Sequence, residues 1–154
     1  MVFINTKKGN ALENIKKDSP VYTISTTAEL LGISIHTLRM YEREGLILRH
    51  KKNSGHRLYS QEDIDRINCI RKAINESKIS IAGIKTIYSL IPCWKFIDCP
   101  MEQREKCQAY TSHSQPCWTF NHRGNACFRN DCKNCIVYKD HAECGKIKQT
   151  ITQL

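Results

Sequence analysis

Between Tyr22 and Pro92, apolar residues recur at intervals of three and four, the spacing that lines one face of a helix. Ala28, Leu30 and Leu31 face inward on a first short helix, with Thr23 or Ser25 as its cap and Gly32 as its end. Ser34 opens a second helix that turns Ile35, Leu38 and Tyr41 inward, continues through Glu44 and stops at Gly45. Leu46, Ile47 and Leu48, and then Leu58 and Tyr59, flank a basic stretch with an Asn53-Ser54-Gly55 turn, which predicts a β-hairpin. Ser60 with Asp63 is a capping box for a third helix, whose Ile64, Ile67, Ile70 and Ile74 share the core face. Ser80 opens a fourth, shorter helix with Ile81, Ile84, Ile87 and Tyr88 inward, and Pro92 blocks its extension.

Beyond Pro92 the helical period fails. A faint duplication replaces it: Cys93-Trp94-Lys95-Phe96 and Cys117-Trp118-Thr119-Phe120 share the form Cys-Trp-x-Phe. This shift divides the chain into a basic arm at 1–20, flexible or helical around Ala11 to Lys16, a helical domain at 21–91, a cysteine-rich module at 92–145 and a tail at 146–154. The helical domain can bury a modest core. The module is poor in Leu, Ile and Val, so something besides apolar burial must hold it together.

Two short helices joined by a Gly-centred turn make a helix-turn-helix, and the hairpin adds a wing. Thr37, Arg39, Met40 and Arg43 point away from the buried side of the second helix. Such a helix enters the major groove, where Arg39 can grip a guanine edge or a phosphate. Lys51, Lys52 and Arg57 in the wing are placed for phosphates. Charge agrees in sign: residues 1–91 carry 15 Lys and Arg against 9 Asp and Glu, and residues 92–154 carry 9 against 6. The blander readings are a solvated surface for Lys51 and Lys52, wing-to-core packing for Leu58 and Tyr59, and exposed polar roles for His36, His50 and His56.

Tyr22-Thr23-Ile24, Gly32-Ile33-Ser34, Thr37-Leu38-Arg39-Met40-Tyr41-Glu42, Gly45-Leu46 and Gly55-His56-Arg57-Leu58-Tyr59-Ser60 stand in the order found in the MerR family of bacterial transcriptional regulators. Residues 21 to 91 resemble the N-terminal domain of that family. The resemblance implies a winged helix-turn-helix that distorts an over-long promoter spacer so that RNA polymerase can engage. It also implies Thr37, Arg39, Tyr41 and Arg57 as DNA contacts; Arg43, Lys51, Lys52 and Tyr59 complete the expected set. The chain departs from the pattern at Met40 and His56, where the family usually has tyrosine. It departs again at Pro92, which arrives where a long dimerisation helix normally begins.

Eight cysteines follow at Cys93, Cys99, Cys107, Cys117, Cys127, Cys132, Cys135 and Cys144. Eight thiolates equal two four-sulfur sites, for zinc or for iron–sulfur clusters. Cys132 and Cys135 form the one Cys-x-x-Cys knuckle, which favours a cluster over zinc. Lys95, Lys106, Arg123, Arg129 and Lys133 lie among the thiols and would lower their pKa values. Cys69, on the third helix, reads as a small buried hydrophobe. Trp94 and Trp118 read as packing over a site, and His113, His122 and His141 as spectators. Cys93-Trp94, Cys107-Gln108-Ala109-Tyr110, Cys117-Trp118 and Cys132-x-x-Cys135 resemble the two-CW module of prokaryotic signalling proteins over about residues 93 to 138.

The expected protein is mainly α, a winged helix-turn-helix with an irregular metal- or cluster-stabilised module, and not an enzyme. Its expected partners are double-stranded promoter DNA, RNA polymerase and a second copy of itself. With no apolar span of bilayer length and no secretory leader, a reducing cytoplasm is the expected setting. There, cysteines serve as ligands or redox switches more often than as structural disulfides. The alternatives are a DNA-binding adaptor with a purely structural zinc module and a cysteine-based redox protein or electron carrier.

Overall fold

The computed structural model describes residues 15–50 and 55–153. The expected arm helix around Ala11 and the wing residues Lys51 and Lys52 lie outside them. Strand β1 (Tyr22–Thr23) leads into helix α1 (Ile24–Leu31), where the Thr23 hydroxyl accepts the Thr26 amide at 3.2 Å. Gly32, at φ 61°, takes the left-handed turn that ends it. Helix α2 (Ile35–Arg43) starts on Ser34, whose hydroxyl accepts the Thr37 amide at 3.0 Å. Strand β2 (Leu58–Tyr59) precedes α3 (Gln61–Asn75), which carries the complete Ser60–Asp63 capping box. Ser80 caps α4 (Ile81–Ser89) in the same way, accepting the Gly83 amide at 3.0 Å. Among the described residues no helix is long and apolar enough to cross a membrane.

Two expectations fail here for physical reasons. Leu30 is 60% exposed, since α1 presents Ala28 and Leu31 to the core and the intervening position faces solvent. The sheet is not the expected hairpin: β2 pairs antiparallel with β1, in the register Tyr22 to Tyr59 and Thr23 to Leu58. Leu46 and Ile47 are consecutive and both buried, at 0% and 2% exposure, so this segment lacks the in-out alternation of a half-buried strand.

After Pro92 the chain runs through short pieces: 3-10 turns at Cys93–Lys95, Cys117–Thr119 and Cys132–Asn134, helices α5 (Met101–Arg104) and α6 (Gln108–Thr111), a π turn at Val137–His141 and helix α7 (Ile147–Thr152). The Cys-Trp copies share a local form, since each follows a proline, Pro92 or Pro116, directly into a 3-10 turn. The tail at 146–154 contains α7.

The cysteine-rich half does not build a core of its own. Trp118, Val137, Tyr138, Ala142 and Ile147 are buried in the same apolar cluster as Leu38, Leu46, Ile67, Ile70 and Tyr88. A segment too poor in aliphatic residues to fold alone thus covers the apolar surface that α3 and α4 leave open. Cys69 corrects another expectation. It is half-buried at the edge of α3 and joined by a disulfide to the exposed Cys144, with Cα atoms 6.2 Å apart.

Candidate functional site

On α2, His36, Arg39 and Arg43 are exposed and spaced by three and four residues, so they form one stripe. Among the described residues, neither arginine is ion-paired, and both guanidinium groups are available to a polyanion. Thr37 is half-buried beside the helix start, its hydroxyl 2.9 Å from that of Ser34.

Among the described residues, three further expected DNA contacts, Tyr41, Arg57 and Tyr59, have partners within the fold. Tyr41 is 5% exposed and packs in the core, as its helical spacing from Leu38 requires. Tyr59 is 3% exposed, and its hydroxyl donates to Glu42 Oε1 at 2.8 Å. Arg57 Nε donates to Glu42 Oε2 at 3.1 Å, and Arg49 Nε lies 3.7 Å from the same oxygen. Glu42 therefore ties Arg49 and Arg57 to α2. Tyr41 and Tyr59 belong to the scaffold of this surface, and Arg57 is largely committed to holding it.

A second carboxylate fastens the module. Asp63 accepts the Ser60 amide at 2.9 Å, lies 2.9 Å from His50 Nε2 and receives the Lys133 ammonium. Burial alone would push this carboxyl up. The hydrogen bonds from His50 and Lys133 outweigh burial and hold it at about 2. His50 is thus a structural partner, not an exposed spectator, and Lys133 points to Asp63 instead of the thiols. Close by, the buried Arg66 guanidinium donates to the carbonyls of Ala142 at 2.9 Å and Tyr138 at 2.6 Å, and sits 4.0 Å from the centre of the Tyr138 ring.

Seven of the eight expected ligands, Cys93, Cys99, Cys107, Cys117, Cys127, Cys132 and Cys135, line one partly enclosed cavity of about 40 Å³. None of the seven is in a disulfide. The eighth, Cys144, stands outside it, joined to Cys69. One seven-thiol cavity and one pair replace the expected two four-sulfur sites. A water molecule needs roughly 10–15 Å³ by the same measure, so the cavity has room for a group of several atoms. Among the described residues no three Cys, His, Asp or Glu side chains converge as they would on a single ion.

The wall also contains Trp94, Trp118, Arg104 and His122. Arg104 is the cation beside the thiols that the charge pattern did not single out, and its Nε donates to the Cys99 carbonyl at 2.7 Å. His122 Nε2 lies 2.8 Å from the Cys117 carbonyl, so it supports the wall rather than standing apart as a spectator. A hydrogen bond from Cys117 lowers the Cys93 thiol to about 7, against opposing burial, and the same bond followed by burial raises Cys117. Burial pushes Cys127 up to about 11.

Direct contacts join the cavity wall to the segment that follows α2. Trp118, next to Cys117, donates its indole N–H to the Gly45 carbonyl at 2.7 Å, immediately beyond the end of α2. Its ring packs against Tyr88 and Tyr138 at centroid distances of 5.4 and 5.1 Å. Tyr138 in turn accepts the Leu48 amide at 2.9 Å through its hydroxyl. Gly45 sits at φ 72°, and a Cβ there would lie 2.5 Å from Thr119 Cγ2. Gly45→Ala is expected to destabilise the fold by about 1–3 kcal/mol, as read by urea denaturation. A substitution that leaves the midpoint unchanged would show that this junction yields easily.

Comparison with known proteins places the helical half. The family described as MerR HTH family regulatory protein matches residues 22–90. The putative heat shock protein HspR of Streptomyces coelicolor is 37% identical over 76 residues, covering 49% of this chain and 50% of that protein. The uncharacterized HTH-type transcriptional regulator YyaN of Bacillus subtilis is 42% identical over 65 residues, 42% of this chain and 46% of its own. The HTH-type transcriptional regulator ZntR homolog of Haemophilus influenzae is 37% identical over 68 residues, 44% of this chain and 50% of its own. The chain thus spans half or less of the length of these curated relatives. No solved structure matches it. With the cap residues, the Gly32 turn and the α2 stripe standing where the fold requires them, residues 22–90 form a MerR-family helix-turn-helix domain.

Proposed function

We propose that this chain is a transcriptional regulator that binds double-stranded promoter DNA as a homodimer and distorts it for RNA polymerase. Its seven-thiol cavity serves as the sensor, holding an iron–sulfur cluster. The observation that carries this reading is the Trp118–Gly45 hydrogen bond, which joins a residue of the cavity wall to the end of the DNA-facing helix. Seven cysteines lining one several-atom space exceed the four that one structural zinc takes and suit a polynuclear group better than a single ion. Cys93, Cys99, Cys107, Cys117, Cys127, Cys132 and Cys135 would supply the ligands. A cluster bound there would supply sensitivity to oxidants and to electron supply.

The chain's own residues account for the response. With Cys117 anchored at the cavity, the 3-10 turn of Cys117–Thr119 holds the Trp118 indole against Gly45 and fixes the exit of α2. With that anchor released, the turn is free to shift, and the tilt of α2 on the duplex shifts with it. His36, Arg39 and Arg43 face the groove, while Glu42, Arg57 and Tyr59 keep the wing aligned.

Anaerobic purification with iron, acid-labile sulfide and zinc analysis, run beside binding to its own promoter fragment, tests this. Iron and sulfide in equal amounts, with promoter binding or promoter distortion that changes when they are removed, is the expected result. A colourless protein that holds zinc and behaves identically without it would overturn the sensor and leave the structural-zinc adaptor. For the DNA surface, Arg39→Ala is expected to weaken promoter binding about tenfold or more, from the ~1–3 kcal/mol of a good bidentate contact. Unaltered affinity would exclude Arg39 from the interface.

A further inference from the structure

Cys69 and Cys144 lie apart from the seven-thiol cavity and call for a different chemistry. Cys69 sits on α3 three residues beyond Arg66, on the same side of the helix. From there Arg66 holds the carbonyls of Tyr138 and Ala142, and Cys144 follows two residues later. The covalent link thus closes the same seam that the guanidinium holds by hydrogen bonds. Its Cα separation of 6.2 Å lies within the range that a disulfide bridges without moving the backbone. Beyond Cys144, α7 supplies one wall of an apolar groove of about 440 Å³, through Ile147 and Ile151, and Ile70, Ala73, Ile84 and Tyr88 of α3 and α4 supply the other. Cys144 is an exposed residue at the mouth of this seam, within reach of a small thiol or disulfide.

We infer that Cys69 and Cys144 form a reversible thiol–disulfide site that takes low-molecular-weight disulfides as oxidant and latches the C-terminal helix onto α3 and α4. In the forward direction the Cys144 thiolate attacks one sulfur of the small disulfide, forms a mixed disulfide and expels one small thiolate. The Cys69 thiolate then attacks the Cys144 sulfur, closes the protein disulfide and expels the second small thiolate. The two protons released by the cysteines end on the two small thiols. Two electrons pass from the protein pair to the small disulfide, and excess small thiol reverses both steps. The inference does not depend on what fills the cavity, since neither sulfur lines it.

The test equilibrates the full-length chain, purified anaerobically, with glutathione and glutathione disulfide at a series of ratios. It is then trapped by acid, alkylated and mapped by mass spectrometry. Cys69 and Cys144 are expected to convert together, as one two-electron couple, and to be fully reduced at the highest glutathione excess. Tryptic cleavage after the exposed Lys146 and Lys148 is expected to be about tenfold slower in the disulfide form. Cys69→Ser and Cys144→Ser should each abolish that difference while leaving the metal content of the reduced protein as it was. The inference is overturned if the two cysteines titrate separately, if either pairs with a cavity cysteine, if the bond survives the highest glutathione excess, or if oxidation leaves the cleavage rate unchanged. Loss of the cluster reading alone, with this couple intact, would leave it standing.

Discussion

Trp118→Ala is expected to cost about 3–5 kcal/mol of stability and to abolish the response of promoter binding to the state of the cavity. The side chain is 7% exposed and packs against Tyr88 and Tyr138, and its indole N–H is the donor to the Gly45 carbonyl. Truncation to alanine empties the centre of the seam between the two halves, where few mobile side chains could collapse into the space. Trp118→Phe separates packing from signalling. It keeps most of the ring contact but leaves the Gly45 carbonyl without its donor, at about 1–3 kcal/mol. Denaturant unfolding reads the first effect, and promoter binding before and after metal removal reads the second. If Trp118→Phe folds and its promoter response equals that of the parent chain, the cavity reaches α2 by some other route.

Asp63→Ala is expected to be as damaging, by about 3–5 kcal/mol, because it strands the Lys133 ammonium and His50 in a buried setting and removes half of the capping box of α3. The same carboxylate gives the stability a particular pH dependence. Its ordinary value is 3.8, and in the fold it is held at about 2. A depressed folded value means that its contribution is fully present above the unfolded value and is lost as pH falls toward the folded one. The expected size is about 2 kcal/mol, lost between roughly pH 5 and pH 2. Asp63→Asn removes the charge with little change of shape, so the stability gap between it and the parent should be widest above pH 5 and narrow by that amount at pH 2. A gap independent of pH across this window would mean that Asp63 is not the carboxylate that carries the effect.

The helical half was legible because its signals are local. Thr23, Ser34, Ser60 and Ser80 each satisfy the amide three residues on, and Gly32 and Gly45 adopt the left-handed turns that end their helices. Such features depend on a few consecutive residues, so spacing alone reveals them. The exposed basic stripe of Arg39 and Arg43 follows from the same helical period. Less was legible where a residue's partner is distant in the chain. Tyr41 is an expected DNA contact only through the family resemblance, while its helical spacing from Leu38 turns it inward, where it is buried. No local pattern shows the bonds that Arg57 and Tyr59 make to Glu42. The strand at Leu58 pairs with Tyr22–Thr23 because both edges meet there, whereas Leu46 and Ile47 turn inward together.

The spacing of the cysteines did not show their partition. Eight sulfurs in sequence invite division into two fours. Only the packed chain separates seven around one cavity from Cys144, bonded to Cys69 of α3, because a 75-residue separation between Cys69 and Cys144 leaves no local trace. The same holds for Lys133, which sits between two cavity cysteines in sequence but points to Asp63 in space.

By itself the sequence determined the four helices of the first half, their caps and stops, the basic face of α2 and the presence of a thiol-rich segment, since each is written in neighbouring residues or in a short period. Tertiary structure alone decided that the thiol-rich segment shares the helical core and that Trp118 and Tyr138 grip the exit of α2. It also decided which cysteines face one another. Those outcomes depend on the apolar surface that α3 and α4 leave uncovered and on buried polar groups finding partners many residues away, and neither condition can be read from any one stretch of chain.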